Sequence, residues 1–303
     1  MPLIFTAEKN NSSMQNILRF LCCPSCKANL AKKGETLVCT ECKVKYTIER
    51  FIPILLDTHN MPSYLTHQIS YFEEEDKTRP QYKLAEWQKS YLRRFFENVE
   101  VNKKTIVLDI GCGSGYMTIE LARRGATVIA CDLTVAQLHK LQNEIQKFNL
   151  NNRLFLICCS AESLPFKSAI ADVVIENAIL EHLPHERKAI KEIKRVSKEN
   201  ATIMVSVPHA YRYLWPFLIP VNLWFDKKIG HLRRYTKKEL LTKFNDFSLR
   251  RVYYTGNLFK FLLFLLQILL KRKAIDKFME TVDRRFEKLA YGATVITVFL
   301  KRR

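Results

Sequence analysis

An acid followed by three glycines at alternate positions stands out in Val107-Leu108-Asp109-Ile110-Gly111-Cys112-Gly113-Ser114-Gly115. The apolar run before Asp109 reads as a buried parallel strand. The glycines allow a sharp turn and a close approach of backbone to ligand. A helical pattern begins at once, from Tyr116 to Arg124. Strand, glycine turn and helix together place a ligand at a helix N-terminus in an α/β sheet. A dinucleotide site would want a third glycine where Tyr116 stands, so that a pyrophosphate could rest on the helix. Asp109 would also repel a diphosphate and suits a cationic amine instead. A second acid, Asp132, ends the next apolar run, Ala126 to Cys131, where a carboxylate can hold a pair of ribose hydroxyls. A ligand with an amine and a ribose but no phosphate is S-adenosylmethionine.

Chemistry of a second kind sits near the front. Cys23-Pro24-Ser25-Cys26 and Cys39-Thr40-Glu41-Cys42 are two C-x-x-C pairs. Each pair offers two thiolates from one tight turn, and four sulfurs in tetrahedral array suit zinc. Cys22 could compete, but Cys23 completes the spacing. Four sulfur ligands leave no position open for water, so the expected zinc is structural. Leu37-Val38 and Tyr46-Thr47-Ile48 flank the second pair like a small β-ribbon.

The span from about 103 to 208 resembles a class I S-adenosylmethionine-dependent methyltransferase, of the broad group that holds the ubiquinone and menaquinone C-methyltransferases. The resemblance rests on VLDIGCGSG, VIACDLT, SAESLPFKSAIADVVIENAILEHL and ATIMVSVP. It implies that Asp109 and the turn Gly111-Cys112-Gly113, closed by Gly115, face the methionine part of the cofactor. It places Asp132 on the ribose, Leu133 against the adenine, Ala161 and Glu162 at the adenine edge, and Asn177 and Ala178 on the sulfonium side. The front of the chain resembles the zinc ribbon that serves as a small partner subunit of tRNA- and ribosomal-protein-modifying methyltransferases. Arg50 stands where such ribbons usually have glycine, which bears on one local turn.

The elements that must position these residues follow in regular order. Strands are expected near 106–110, 127–131, 154–158, 172–176 and 202–207, with helices over 134–148 and 186–197. A helix over 237–244, a strand over 250–255 and a last strand over 293–300 continue the pattern, the last one antiparallel by family resemblance. The expected fold is α/β, a doubly wound seven-stranded Rossmann-like sheet with a small N-terminal zinc ribbon. The divisions are 1–57 for the ribbon, 58–100 for a helical connector or lid, and 101–303 for the methyltransferase domain. In the connector, Leu84, Trp87, Tyr91, Leu92 and Phe95 recur at helical spacing and read as core. Tyr71 and Phe72 are lid candidates by family resemblance.

Two apolar insertions, at about 209–235 and 257–291, interrupt the order. Prolines at 208, 216 and 220 argue against a long helix in the first. LFKFLLFLLQILL in the second is too short to span a bilayer, which takes about 20 apolar residues. Its basic flank Lys271-Arg272-Lys273 suits an interfacial helix on an anionic membrane surface, and a buried helix of a substrate-binding cap is the equal alternative. The next helix, Ala274 to Leu289, shows Ile275, Phe278, Met279, Val282, Phe286 and Leu289 on one face, which should pack on the segment before it. Both insertions should roof the acceptor site, because ligands in such sheets bind beyond the carboxyl ends of the strands.

The 303 residues carry a net charge of +19 and 48% hydrophobic content, which excludes a disordered chain and favours an acidic partner surface. Nine cysteines and a first segment without a signal-like apolar core predict a reducing, cytoplasmic setting, with peripheral membrane contact. Candidate general bases are His182, His185, His209 and His231, of which His182 and His231 lead. Gly230-His231-Leu232-Arg233-Arg234-Tyr235 resembles a Gly-His-x-Arg-x-Tyr segment that borders the acceptor pocket in related methyltransferases. Arg233 and Arg234 offer a hold for an anionic group. The expected activity is methyl transfer to a small lipophilic acceptor such as a quinone, isoprenoid or polyketide. The competing expectation is methylation of RNA or a ribosomal component, drawn from the charge and the ribbon.

Overall fold

The computed structural model describes residues 14–56, 63–77, 84–150, 152–210, 219–256 and 275–302. Seven strands form the main sheet: β5 (Ile106–Ile110), β6 (Thr127–Asp132), β7 (Leu154–Cys158), β8 (Ala171–Asn177), β9 (Ser197–Pro208), β10 (Phe247–Thr255) and β11 (Thr294–Lys301). Their order is β10-β11-β9-β8-β5-β6-β7. All pairings are parallel except those of β11, which runs antiparallel to both β9 and β10. The strand positions expected from the sequence fall within these elements, except the last, which is shifted by a single residue. Every residue of β7 is buried, as a strand covered on both faces must be.

Alternation along the strands assigns the two faces. Leu108, Ile110, Ile129, Phe155 and Ile157 join one apolar layer, and Val107, Val128, Ala130, Leu154 and Leu156 join the other. The second layer is covered by α2 (Glu86–Phe96), α3 (Tyr116–Arg123) and α4 (Val135–Lys147). The first takes α5 (Glu186–Val196), α7 (Lys237–Lys243) and the ribbon.

The ribbon is a four-stranded antiparallel sheet of β1 (Leu30–Lys33), β2 (Thr36–Cys39), β3 (Lys45–Glu49) and β4 (Ile52–Pro53). Its turn at Arg50 forms without the glycine: Arg50 and Phe51 take φ of 47° and 68°. Such left-handed backbone costs a non-glycine residue roughly 1–2 kcal/mol. The ribbon is no independent bead. Leu37, Tyr46, Ile48 and Leu55 share one apolar cluster with the main sheet. Ile54 pairs with Cys158 in parallel, and the Leu55 N–H donates to the Cys158 carbonyl at 2.8 Å, so the edge of β7 is capped.

The connector divides into two helices with different tasks. Helix α1 (Ser63–Lys77) lies over the carboxyl ends of the strands. Helix α2 is anchored to α8 (Ile275–Arg285) and the turn after it by ions. Arg94, only 2% exposed, donates from Nε to Glu287 at 2.9 Å and lies 3.8 Å from Asp283. The buried face of the α8 region therefore carries Asp283 and Glu287 with Met279, while Phe278 and Leu289 are exposed. The apolar face expected there is broken because Arg94 needs carboxylates, and an unpaired buried charge costs more than lost apolar contact.

In the first insertion, α6 (Ile219–Ile229) contains Pro220 near its start, where a missing N–H is tolerated. Residues 211–218 and the apolar run 258–270 lie outside the described residues. No described helix is long and apolar enough to cross a membrane.

Candidate cofactor and acceptor site

A cleft of about 410 Å³ opens at the carboxyl ends of β5, β6, β7 and β8. One end is built from the glycine turn. Gly111, Gly113 and Gly115 all have positive φ. At Gly111 a Cβ would meet Ile179 Cδ1 at 2.1 Å, so the residue is glycine for close approach as well as for backbone. Gly115 caps α3, and a Cβ there would meet Leu141 Cδ1 at 2.3 Å. Gly111, Cys112 and Gly113 line the cleft; Gly115 supports it from below through α3.

The two acids divide their tasks. Asp109 is buried beneath the turn and accepts from the Thr118 hydroxyl. Burial raises its carboxyl to about 6, against the Thr118 hydrogen bond and helped by the Asp132 charge. Asp132 lines the cleft. Its Oδ2 accepts the Gly113 N–H at 2.9 Å, and its Oδ1 accepts the Thr134 N–H at 3.1 Å and hydroxyl at 2.9 Å. Three of about four acceptor sites are filled. The remaining one, on Oδ2, is what Asp132 can offer a hydroxyl without releasing the turn. Leu133, Ala161, Asn177 and Ala178 line the same cleft. Asn177 is held by its Nδ2 donating to the Tyr116 hydroxyl at 3.1 Å. Glu162 is not among the lining residues: it accepts from the Tyr64 hydroxyl at 2.8 Å and the His185 N–H at 2.9 Å, and so ties α1 down.

The other end is apolar and aromatic. Tyr71 and Phe72 of α1 line it, with Leu65, Leu183 and Ile229. Trp87 does too, and it is 51% exposed, so the aromatic stripe of α2 is core only from Tyr91 onward. Its ring meets Tyr116 edge-on at 5.5 Å. His182 and His231 face each other here, ring centroids 4.8 Å apart. The His182 Nδ1 lies 3.2 Å from the Gly230 carbonyl and the His231 Nδ1 lies 2.9 Å from Asp226 Oδ1. Burial lowers the His231 pKa below 6.5, more than Asp226 restores it. His231 is thus neutral at pH 7 and able to take a proton. His209 is buried at the end of β9 on the Gly292 carbonyl, and His185 caps α5; neither lines the cleft. Arg234 is committed to Asp226 by two hydrogen bonds, at 2.7 and 2.8 Å, and Arg233 to the Leu183 carbonyl at 2.7 Å.

Glu176, Glu181 and Asp226 carry this end without having been singled out by spacing. Glu176 is buried and accepts the N–H groups of Ile179 at 2.8 Å and Leu180 at 2.7 Å, which sets the loop after β8. Burial lifts it to about 8, despite those hydrogen bonds. A carboxylate inside an apolar run, as in Val173-Val174-Ile175-Glu176, is the signal that would have found it.

At the front, the Sγ atoms of Cys23, Cys26, Cys39 and Cys42 lie within 4.8 Å of one another. Cys22 is outside the group, with its N–H on the Pro165 carbonyl. Burial raises the Cys23 thiol, but the Tyr46 hydroxyl and the N–H groups of Cys26 and Ser25 bring it below its usual value. Cys39 reaches about 6, where the Glu41 N–H and the Cys26 thiol outweigh burial. Cys42 goes the other way, to about 12: the Val44 N–H lowers it, but hydrogen bonds shared with Cys39, Cys26 and Cys23 outweigh that. Four sulfurs so grouped fit a tetrahedral zinc.

Comparison with known proteins accords with both parts. Residues 108–205 match the family described as a methyltransferase domain, and residues 16–50 match that of Trm112p-like proteins. The ubiquinone biosynthesis O-methyltransferase of Pseudomonas fluorescens is 34% identical over 116 residues, 35% of this chain and 47% of that relative. The chain thus spans about half the length of such relatives. Among solved structures, the geranyl diphosphate C-methyltransferase of Streptomyces coelicolor matches with a TM-score of 0.55 at 12% identity, over 79% of this chain and 98% of that one. The complex of the Haloferax volcanii Trm112 methyltransferase activator with a methyltransferase matches at 0.53 and 14%, over 80% and 99%. At these identities the structures speak for fold alone. Residues 108–205 thus match a methyltransferase domain set on the seven-stranded fold. A Trm112-like ribbon stands in front of it, in the same polypeptide.

Proposed function

We propose that the chain transfers the methyl group of S-adenosylmethionine to a small lipophilic acceptor. The observation that carries this reading is the division of one cleft into an acidic, glycine-turned end and an aromatic end. The first suits a cationic amine and a ribose: Asp132 lines it and Asp109 lies buried beneath its glycine turn, in a chain of net charge +19. Asp132 holds the ribose by its remaining lone pair, Leu133 and Ala161 flank the adenine, and Asn177 and Ala178 stand by the sulfur. The cofactor supplies an electrophilic methyl group. The enzyme's own task is alignment and exclusion of water, which Tyr71, Phe72 and Trp87 serve as a lid. His231, oriented by Asp226, takes the proton of an acceptor hydroxyl, with His182 beside it. The four front cysteines hold zinc as a structural ion. Contact with an anionic membrane through the basic-flanked apolar run would deliver such an acceptor.

A methyl-transfer assay with labelled cofactor and isoprenoid phenols or quinols tests this. Label should partition into the organic phase and require the lid aromatics. A second groove, of about 1040 Å³, favours the RNA reading: Arg187, Lys191 and Lys238 line it between α5 and α7. Others of its cations are neutralised, Lys194 by Asp246 at 2.8 Å and Lys243 by Glu186 at 2.5 Å. Label retained on RNA, with none in the organic phase, would overturn the small-acceptor reading.

A further inference from the structure

Glu181 is 0% exposed, and neither of its carboxylate oxygens has a hydrogen-bond partner among the described residues. Burying a charge without a partner is costly, so such a group either stays protonated or meets a cation. Its surroundings supply what a cation needs. One donor atom from each of Glu181, His182 and His231 lies within 4.8 Å of the others. Nε2 of His231 is 3.7 Å from Glu181 Oε1. That is close to the edge of a tetrahedron with metal bonds of about 2.0–2.1 Å, which is roughly 3.3 Å. Closing the widest edge, at most 4.8 Å, asks for an approach of up to about 1.5 Å.

The outer contacts point the same way. Histidines that bind metals usually engage the other ring nitrogen with a carboxylate or carbonyl. His231 meets Asp226 through Nδ1 at 2.9 Å, and His182 meets the Gly230 carbonyl through Nδ1 at 3.2 Å. Asp226 is in turn clamped by Arg234. Two segments distant in sequence converge here: the turn Leu180–His182, and the end of α6 with the loop that follows it.

We propose that Glu181, His182 and His231 bind a divalent cation at the acceptor end of the cleft. Two imidazoles and a carboxylate suit zinc, iron(II), manganese or cobalt rather than calcium. Both histidines line the cleft, so positions on the cation not taken by protein open toward the acceptor. Such an ion recognises an acceptor bearing a hydroxyl or keto oxygen and passes over a pure hydrocarbon. It would take over from His231 the task of making a hydroxyl nucleophilic, by stabilising the oxygen's negative charge while the hydroxyl proton passes to solvent water. This use rests on the methyl-transfer reading; the ion site does not.

The test is metal stoichiometry of the full-length chain by equilibrium dialysis against zinc and, separately, manganese, beside calorimetry with S-adenosylmethionine. Zinc should reach two ions per chain, one on the four cysteines and one here. Manganese, which avoids thiolates, should bind once. Glu181→Gln and His231→Ala should each remove the manganese site or weaken it at least tenfold, while leaving zinc on the cysteines. Asp226→Asn, which leaves all three ligands in place, should weaken manganese by about tenfold to a hundredfold. Zinc stopping at one ion with no manganese bound would overturn the proposal, as would undiminished manganese binding in folded Glu181→Gln and His231→Ala. Cofactor binding without any manganese would sink the ion site and leave the methyltransferase reading standing. Manganese binding without cofactor binding would do the reverse.

Discussion

The two ends of the cleft are made differently. The cofactor end is local: the turn 111–115, Asp109 beneath it and Asp132 on the neighbouring strand lie within 24 positions in the chain. Backbone conformation decides it, through positive φ and close approach of Ile179 and Leu141. The acceptor end is assembled from distant pieces: Tyr71 and Phe72, Trp87, Glu181 and His182, and His231 with Asp226. Side chains decide it, and several meet across elements: Phe72 meets His182 edge-on at 5.3 Å, Trp87 meets Tyr116, and Gln68 of α1 donates to the His182 carbonyl. A backbone-built end tolerates a fixed ligand; an end built from side chains can change its specificity by single substitutions.

Substitutions should separate the two ends. His231→Asn should lower kcat by about 10²–10⁴-fold with cofactor affinity unchanged, the range for loss of a general base. In the intact chain kcat/KM should fall as pH drops below 6.5, because His231 must be neutral and its pKa is lowered from that value. An equal loss of cofactor affinity in His231→Asn would merge the two ends into one. Asp132→Ala should do the opposite and weaken cofactor binding by about 1.5–3 kcal/mol, the worth of a hydrogen bond to a charged group. Unchanged affinity by calorimetry in a folded variant would remove Asp132 from the ribose.

Smaller effects probe stability. Asp109 is raised from 3.8 to about 6 by burial, so between those values the folded chain keeps a proton that the unfolded chain has released. Its stability therefore falls as pH rises through that window and stays lower above it. Asp109→Asn should stabilise the chain by up to about 3 kcal/mol above pH 6, two units at 1.36 kcal/mol each, while weakening cofactor binding. A variant no more stable at pH 7 than at pH 4, relative to the parent, would contradict this. Arg50→Gly should stabilise the ribbon by about 0.5 kcal/mol, since relief of left-handed strain exceeds the entropy glycine adds. No gain in chemical denaturation would mean that Arg50 is not strained; its carbonyl already accepts from Gln142 at 2.7 Å.

Burial also shapes where the ribbon acts. Residues 20–27 and 54–55 grip the segment that follows β7 and lines the cofactor end. Lys167 N–H donates to Phe20 O at 2.8 Å, Ser163 Oγ to Pro24 O at 2.7 Å, and Lys27 Nζ to Leu164 O at 3.1 Å. Lys27 also pairs with Glu192 of α5 at 2.8 Å. The division at 57 is thus a boundary in sequence and not in packing.

Sequence alone determined the sheet, because runs such as Val107–Ile110 and Leu154–Cys158 have nowhere to go but a doubly covered strand. It determined the glycine turn and the grouping of C-x-x-C pairs, because both are local: φ, spacing and thiol chemistry act within a few residues. It misjudged Trp87 and the α8 region, because helical periodicity reports which side chains share a face and says nothing of what lies opposite. Opposite α8 lies Arg94, which demands Asp283 and Glu287. Opposite Trp87 lies the cleft. Only tertiary structure brought Glu181 to His231 and Asp226, since no spacing along the chain encodes a contact between one loop and another some 50 residues on.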